Sequence, residues 1–534
     1  MKASNGLMQF LGIPYGTIRQ RFSRSSLLTS LPHEDDSKVF NATRTGPSSI
    51  QPYGSVKMDA TAIPVPTDNL PEDEPQSEDC LNLSITLPES YVGDSDDKGK
   101  LPVVVFIHGG AFFIGSANRP YYNHIPFSMH ALQRKTPIVF VAINYRLGAL
   151  GFFHCPEATD LVPENNGLHD QLVALDWVRN NIEGFGGDLQ NITILGQSAG
   201  GESISLQSLT DKLPPPMYKR AIMFSGSPVT MPAKTPEEHG ENFRTQAKEL
   251  DIHVDGNSDM RQVARQMIEC DVDKIRKLAF VGAPCSQSTM MPYERPSMQL
   301  ARQSSGDKGS WVEAQLISST TYDGGISYNM LSKDENRKEH AKAIIHIAND
   351  VLTKDQASTL LEIYGITDND SDEAALKRVC QFESDIGFFA GALSLVQGGR
   401  AKRTYMQLFD LGNPFEGPLE PGKYATHTWD IVSLLGGCEE RISTEYSNII
   451  SAWRDKILDF VVCGEEPCSQ WTHEEGSTLL VDKSGVRKVA GDEYMLADSQ
   501  RRKRLLDLAE SVDKEKGRDV LWEKVCRRFL MAGE

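Results

Sequence analysis

With 534 residues, of which 39% are hydrophobic and 24% charged, the chain has the composition of a globular protein and not that of a disordered one. Its formal charge of −18 argues against nucleic-acid partners, whose phosphates are bound by clustered Lys and Arg side chains. No stretch reaches the roughly 18 uninterrupted apolar residues that span a bilayer, so no membrane span is expected.

The N-terminus and the cysteines indicate a compartment. Residues 1–12 contain no charged segment followed by a long apolar one, so a secretory signal is not expected. The nine cysteines are odd in number and widely scattered, which favours free thiols and a cytoplasmic location. Cys463 and Cys468 lie close in sequence, but no Cys/His spacing typical of zinc occurs. We therefore expect no metal site, and no motif indicates a cofactor or an oligomeric state.

Six short apolar runs, rich in β-branched residues, predict strands that are buried on both faces, as in a parallel sheet. They occupy 101–107, 137–143, 191–195, 221–224, 315–318 and 404–409. Between the second and third runs, apolar residues recur at helical spacing, at 168, 172, 175, 178 and 182. Asn165 and Asn166 are suited to begin this helix and Gly184 to end it.

Strands that alternate with helices predict an α/β fold with a large, mostly parallel central sheet. Residues 31–79, about 205–310 and about 330–400 fit this alternation poorly. We interpret them as insertions in a single domain, 1–534, that cover the C-terminal edge of the sheet, where ligands bind in α/β folds. The charged segment 492–518 is expected to form a solvated surface helix.

The segment 196–200, Gly-Gln-Ser-Ala-Gly, matches the G-x-S-x-G pattern and lies between a predicted strand and a predicted helix, 199–206. In that context the serine sits on a sharp strand-to-helix turn with its hydroxyl exposed. Side chains at 196 or 200 would collide with neighbouring backbone, which accounts for the two glycines. Ser198 is therefore the candidate nucleophile.

A glycine-rich segment, His-Gly-Gly-Ala-Phe at 108–112, follows the first predicted strand. Such a turn lets backbone N–H groups converge on the point where a carbonyl oxygen becomes negative during acyl transfer. A simple loop at the end of a strand would account for the same residues without chemistry. The position of the segment upstream of Ser198 favours the oxyanion hole.

A serine hydroxyl is a weak nucleophile at neutral pH and needs a base within hydrogen-bond reach. His427 follows the last predicted strand and a Pro/Gly loop, whereas His169 and His346 lie within helical patterns. In the chain order that accompanies G-x-S-x-G, the orienting acid comes between serine and histidine. Asp323 follows a predicted strand and precedes two glycines, although an Asp-Gly turn without chemistry explains the same pattern.

Further motifs extend the pattern over nearly the whole chain. They are Phe-Leu-Gly-Ile-Pro-Tyr at 10–15, Ser-Glu-Asp-Cys-Leu-Asn-Leu at 77–83, Ile-Asn-Tyr-Arg-Leu-Gly at 143–148 and Phe-Gly-Gly-Asp at 185–188. Together with the glycine-rich segment, the serine turn and the His427 segment, they make the chain resemble the type-B carboxylesterases, the cholinesterase-like family of the α/β-hydrolase superfamily. The resemblance implies an α/β-hydrolase fold and a serine hydrolase that cleaves carboxylic esters through an acyl-enzyme.

The resemblance also implies roles for particular residues. It implies three catalytic side chains, with Ser198 as nucleophile, His427 as general base and acid, and Asp323 as orienting acid. It implies an oxyanion hole formed by three backbone amides, those of Gly110, Ala111 and Ala199. It further implies a small-molecule ester as substrate, and a structural ion pair between Arg21 and Glu78.

The chain departs from the family pattern at several positions. The acid is usually Glu, whereas Asp323 is shorter by one methylene, so its loop must approach closer; Asp430 is the alternative acid. Cys80 has no partner cysteine in the preceding loop, unlike extracellular members, which agrees with a cytoplasmic location. Residues 52–79 contain no Trp, and Gln197 replaces the Glu that often precedes the nucleophile, so a choline ester is not expected.

Three functions are compatible with these motifs. The first is hydrolysis of a small or medium-sized apolar ester. The second is transfer of the acyl group to another alcohol, as in a transesterase, a lactonase or a macrocyclising acyltransferase of secondary metabolism, which would use the same acyl-enzyme. The third is a non-catalytic binding protein on the same fold, against which the intact motifs argue. The candidate apolar walls of the active-site gorge are Phe112, Phe113 and Trp311.

Overall fold

The computed structural model describes residues 2–4, 6–32, 39–93, 99–210, 216–278, 282–303, 310–472 and 474–532. In this part of the chain the largest sheet has 11 strands. In chain order they are β1 Lys2–Ser4, β2 Leu7–Pro14, β3 Asn82–Pro88, β4 Leu101–Ile107, β5 Val139–Ile143, β6 Gly187–Gln197, β7 Arg220–Phe224, β8 Ala314–Thr320, β9 Arg403–Phe409, β10 Thr478–Asp482 and β11 Gly485–Val489. Two small sheets pair Gly16–Ile18 with Ser25–Leu27 and Ser48–Ser49 with Gln76–Ser77.

Helices connect and cover these strands. The α-helices are α1 Ser55–Ala62, α2 Ile125–Gln133, α3 Gly148–Phe152, α4 Asn166–Asn181, α5 Ala199–Ser208, α6 Pro236–Glu249, α7 Met260–Glu269, α8 Val272–Arg276, α9 Met298–Arg302, α10 Gly325–Leu331, α11 His340–Val351, α12 Lys354–Tyr364, α13 Asp372–Glu383, α14 Ala390–Gly398, α15 Trp429–Leu435, α16 Thr444–Val462, α17 Gly491–Val512, α18 Gly517–Val520 and α19 Arg528–Leu530. Two π-helical segments, Ser384–Phe389 and Leu521–Arg527, join α13 to α14 and α18 to α19. Short 3-10 turns occupy Glu89–Tyr91, Pro120–Tyr122, Pro156–Ala158, Ile182–Phe185 and Glu439–Arg441.

The strand order across the large sheet is β1-β2-β3-β5-β4-β6-β7-β8-β9-β10-β11. From β5 to β10 in this order, every neighbouring pair is parallel. The outer neighbours at both ends are antiparallel. The prediction of an α/β fold with a mostly parallel sheet is thus confirmed, and the carboxyl ends of the parallel strands meet at one edge.

Alternate residues of β4 enter two different cores, because successive side chains of a strand point to opposite faces. Val103 and Val105 belong to the core on one face of the sheet, whereas Val104 and Phe106 belong to the core on the other. All seven residues of this strand are buried. A continuous apolar run therefore marks a strand covered on both faces, as the sequence predicted.

Several predicted boundaries differ from the structure. Strand β6 extends well beyond the predicted 191–195, and β1, β2, β3, β10 and β11 were not predicted. Helix α4 ends in a 3-10 turn that Gly186 closes with φ of 77°, so Gly184 does not terminate it. Asn165 does not cap this helix with its side chain, which instead exchanges two hydrogen bonds with the backbone of Cys285.

The predicted insertions contain both core and covering elements. Strand β7 is central in the sheet although it lies within 205–310, so that range is not wholly an insertion. Residues 33–38, 211–215, 279–281 and 304–309 of the predicted insertions lie outside the described residues. The assignment of 1–534 to a single domain stays a prediction.

The charged C-terminal segment is not simply a solvated helix. Helix α17 is interrupted by non-helical backbone at 497–500. Beyond the interruption, Leu505, Leu508 and Ala509 are buried in the core formed with α11, α12 and α13. The charge pattern suggested a fully exposed helix, but the apolar residues at these helical spacings form a face that packs into the core.

One stretch of the described chain, Asp372–Gly398, is long and apolar enough by composition to cross a membrane. Most of it is buried inside the protein, and Leu376, Val379 and Ile386 belong to the same core as Leu505 and Leu508. Its apolar character is accounted for by this packing.

Candidate functional site

Ser198 occupies the turn between β6 and α5, where its backbone has φ of 54° and ψ of −125°. Its amide donates a hydrogen bond of 2.8 Å to the carbonyl of Phe224 at the end of β7. A Cβ atom at Gly196 would lie 2.4 Å from the backbone of Gly200, and one at Gly200 would lie 2.1 Å from the carbonyl oxygen of Ile107. Only glycine therefore fits on either side, and the turn holds the serine side chain half-buried at the carboxyl edge of the sheet.

The structure brings Ser198, His427 and Asp323 into one hydrogen-bonded chain. Nε2 of His427 lies 2.9 Å from Oγ of Ser198, and Nδ1 lies 2.7 Å from Oδ1 of Asp323. His427 is 4% exposed and Asp323 is fully buried. The second oxygen of Asp323 accepts a hydrogen bond of 2.9 Å from the amide of Thr320, which fixes the orientation of the carboxylate.

Backbone pairing between two loops brings Asp323 within reach of His427. The amide of Tyr322 donates to the carbonyl of Ala425 at 3.1 Å, and Tyr322 forms a parallel bridge with Thr426. The bridge extends the pairing of β8 and β9 to the residues that directly precede Asp323 and His427. The two loops are thereby held close enough for Asp to reach the imidazole.

Among the described hydrogen bonds, Asp430, the alternative acid, makes none with the imidazole. It is fully buried, and its Oδ1 accepts a hydrogen bond from the amide of Ile431. Burial raises its pKa to about 7, and the negative charge of Asp323 adds to this increase. The geometry therefore favours Asp323 over Asp430 as the partner of His427.

Glu383, at the end of α13, is a further buried carboxyl beside the Asp323 loop. Its Oε1 accepts a hydrogen bond of 2.7 Å from the hydroxyl of Ser327. Burial raises the pKa of Glu383 to about 8, and the charge of Asp323 adds to the increase. Sequence reasoning missed this residue; the one available signal was a Glu within a largely apolar stretch.

The glycine-rich turn after β4 carries three consecutive residues with positive φ, which are Gly110 at 106°, Ala111 at 54° and Phe112 at 58°. The turn packs against the nucleophile, since a Cβ atom at Gly109 would lie 2.9 Å from Cβ of Ser198. Within the described ranges, the amides of Gly110, Ala111 and Ala199 donate no hydrogen bond, and the same holds for the neighbouring amides of Gly109 and Phe112. The first three are the amides that the family resemblance implies for an oxyanion hole, and that role stays a prediction.

Two neighbouring side chains define the surroundings of the imidazole. Gln197 donates a hydrogen bond of 3.0 Å to the hydroxyl of Thr428, and its Nε2 lies 3.3 Å from Nε2 of His427. The ring centroid of Phe388 lies 5.2 Å from that of His427. A neutral amide and an aromatic ring thus approach the histidine, and Phe388 lies in a range that the sequence described only as an insertion.

The prediction of three residues that line the active-site gorge is wrong for two of them. Phe112 is fully buried and packs against Phe152 in the core, with ring centroids 4.8 Å apart. Trp311 precedes β8 and packs against Tyr218, so it lies at the end of the strand opposite to Asp323. The third, Phe113, lies beside Gly148 and lines a small cavity next to the glycine-rich turn.

Other predictions concern residues away from the site. The ion pair between Arg21 and Glu78 is present, with Nε of Arg21 2.9 Å from the carboxylate. His169 approaches the carbonyl of Ser25, and His346 lies on α11.

All nine cysteines belong to the described residues and are unpaired. Among those residues no group of His, Cys, Asp or Glu is placed to hold a metal ion, and the absence of a metal stays a prediction.

The serine turn at the end of β6, the buried acid after β8 and the histidine after β9 define a protein of the α/β-hydrolase fold. A solved thermophilic PNB esterase has the same fold, with a TM-score of 0.69 and 23% identity, covering 94% of this chain and 97% of that one. The model of the Carboxylesterase family matches residues 1–471. The chain belongs to that family and is a carboxylic ester hydrolase.

Two relatives illustrate the range of the family. The chain is 30% identical over 497 residues to para-nitrobenzyl esterase of Bacillus subtilis strain 168, which covers 90% of this chain and 92% of the relative. It is also 30% identical over 269 residues to the inactive carboxylesterase-like protein VdtD of Byssochlamys spectabilis, which covers 50% of this chain and 43% of that relative.

Proposed function

We propose that the chain hydrolyses a small or medium-sized apolar ester through an acyl-enzyme formed on Ser198. The observation that carries the proposal is the pair of hydrogen bonds that joins Ser198 to His427 and His427 to Asp323. An imidazole that donates its Nδ1 proton to a carboxylate presents the lone pair of Nε2 to the serine hydroxyl. It can therefore accept the proton as Oγ attacks the ester carbonyl.

In the proposed mechanism, the carbonyl oxygen becomes negative as the tetrahedral intermediate forms. The amides of Gly110, Ala111 and Ala199, which lack other partners among the described residues, stabilise that charge. Protonated His427 then gives its proton to the leaving alcohol, while Asp323 stabilises the imidazolium. Water repeats the sequence on the acyl-enzyme and releases the acid.

The surroundings of the imidazole support an uncharged substrate. The aromatic ring of Phe388 packs beside His427. Gln197 places a neutral amide near the imidazole, at the position where other family members often have a Glu, whose carboxylate would favour an ester of a cationic alcohol. No Trp occurs in 52–79 to bind a quaternary ammonium. We also propose a cytoplasmic location, which the nine unpaired cysteines support.

A series of p-nitrophenyl esters from short to long acyl chains tests the proposal. Wild type is expected to hydrolyse them, and Ser198→Ala to lose roughly 10³-fold or more of kcat. Ser205→Ala is the matched control, because Ser205 is fully buried on α5 and its hydroxyl bonds only within that helix. Equal turnover by wild type and Ser198→Ala would refute the assignment.

Two further measurements separate the alternatives. Product analysis with an added acceptor alcohol distinguishes hydrolysis from acyl transfer, because both pass through the same acyl-enzyme. A fluorophosphonate is expected to modify Ser198 of the wild type stoichiometrically. A protein that is folded but not modified would be a binding protein on this fold.

A further inference from the structure

The turn after β4 extends from the glycine-rich segment 108–112 to Gly115, and the backbone of Gly115 pairs with the side chain of Gln51. Nε2 of Gln51 donates to the carbonyl of Gly115 at 3.0 Å, and Oε1 accepts from the amide of Gly115 at 2.9 Å. This is the reciprocal pattern by which one strand holds another. Gln51 lies in the loop before α1, more than sixty positions from the turn in sequence.

The orientation of the Gln51 amide is fixed by its other partners. Oε1 also accepts a hydrogen bond of 2.9 Å from the guanidinium of Arg119, and Nε2 donates to the carbonyl of Ser49 at 3.2 Å. Arg119 can only donate, so a flipped amide would place two donors against each other. Gln51 is 2% exposed, and all four hydrogen-bonding positions of its side chain are used.

Close packing transmits this restraint to the amides of the turn. A Cβ atom at Gly115 would lie 2.5 Å from the carbonyl oxygen of Gly109, and one at Gly110 would lie 2.0 Å from that of Ile114. The two ends of the turn are therefore in backbone contact. Ala111 has a φ of 54°, which a residue with a side chain keeps only where its surroundings impose it.

We propose that Gln51 is a positioning residue that sets the direction of the oxyanion amides of Gly110 and Ala111. The inference rests on the proposed function, because those amides would act on the tetrahedral intermediate. Gln51 does not touch the ester itself. Its loss should therefore weaken binding of the transition state and leave ground-state binding nearly unchanged.

Steady-state kinetics on p-nitrophenyl butyrate test the inference. Gln51→Met keeps the length of the side chain and removes all its hydrogen bonds; kcat is expected to fall roughly 10- to 100-fold, with KM within about threefold. The affinity for an alkyl trifluoromethyl ketone, which forms a tetrahedral oxyanion adduct, is expected to fall by the same factor as kcat. Gln51→Glu keeps the acceptor but not the donor, and it is expected to lose activity as well.

Gln315→Met is the matched control, since Gln315 is equally buried, bonds to Thr404 and lies near the end of β8 opposite to the site. It is expected to keep the kcat of wild type. An unchanged kcat in Gln51→Met, a change confined to KM, or full activity in Gln51→Glu would overturn the inference. Should the Met variant not fold, the Glu variant gives the same decision.

Amide hydrogen exchange, measured without substrate, separates this inference from the proposed function. In Gln51→Met the segment 109–117 is expected to exchange faster than in wild type, because the Gly115 amide loses its acceptor. Unchanged exchange would show that Gln51 does not hold the turn. Faster exchange in Gln51→Met, together with a wild type that hydrolyses no ester, would refute the proposed function and retain the structural role of Gln51.

Discussion

Replacement of Asp323 by Asn is expected to leave the fold intact and to move the imidazole proton of His427 from Nδ1 to Nε2. One oxygen of Asp323 accepts from the amide of Thr320 and the other from Nδ1 of His427. An Asn at this position keeps its single oxygen toward Thr320, because that backbone amide is buried and needs an acceptor. Its NH₂ group then faces His427 and favours the tautomer with the proton on Nε2.

That tautomer cannot accept the proton of Ser198. The same change in a Ser-His-Asp enzyme lowers kcat about 10⁴-fold, which corresponds to about 5 kcal/mol of barrier at about 1.4 kcal/mol per tenfold. We expect a loss of this order for Asp323→Asn, with little change in KM. The assay is hydrolysis of a p-nitrophenyl ester at constant pH, with Ser198→Ala as the lower limit.

Asp410→Asn is the control, because Asp410 follows the neighbouring strand β9 and accepts a hydrogen bond from Thr321 without touching His427. It is expected to keep nearly full activity. Melting temperatures of both variants should match that of the wild type within a few degrees. An Asp323→Asn enzyme within tenfold of wild type would show that the carboxylate does not set the tautomer.

Two further predictions concern stability. Burial raises the pKa of Glu383 from 4.5 to about 8. Between these two pKa values the folded carboxyl keeps its proton while the unfolded one releases it. Glu383 therefore lowers the free energy of unfolding as the pH rises from the lower pKa to the higher one. Glu383→Gln, which retains the acceptor for Ser327, should therefore gain up to a few kcal/mol over wild type at about pH 8.5 and little at about pH 4; parallel melting curves against pH would contradict this. Asp170→Asn should lower the free energy of unfolding, measured in urea, by about 3–5 kcal/mol, because Arg146 is buried and binds both oxygens of Asp170 at 2.7 and 2.8 Å. A loss below about 1 kcal/mol would show that water or another group compensates the charge of the guanidinium.

Local chemistry made several features predictable from the sequence. The run 101–107 matches β4 residue for residue, because a short unbroken apolar stretch rich in Val is typical of a strand covered on both faces. The serine turn was equally recognisable. Glycine at 196 leaves space that the backbone of Gly200 fills, and glycine at 200 leaves space that the carbonyl of Ile107 fills, at distances no side chain allows.

The position of the acid was decided by tertiary structure. Asp323 and Asp430 were both compatible with the sequence, and they lie 104 and three positions from His427. The nearer one in sequence accepts a hydrogen bond from the amide of Ile431, while the distant one binds the imidazole after the pairing of Tyr322 with Thr426 has brought the two loops together. Nothing in the local pattern of either residue encodes that pairing.

The sequence by itself therefore determined which residues can carry the chemistry, because apolar runs and the G-x-S-x-G pattern are recognisable from neighbours within a few positions. Only the tertiary structure decided which of them meet, and it also revealed Gln51 and Glu383, whose contacts join segments far apart in the chain. The physical reason is that hydrogen bonds act over about 3 Å, whereas the partners here are separated by up to 231 positions. Such contacts exist only after the parallel strands have aligned their carboxyl ends.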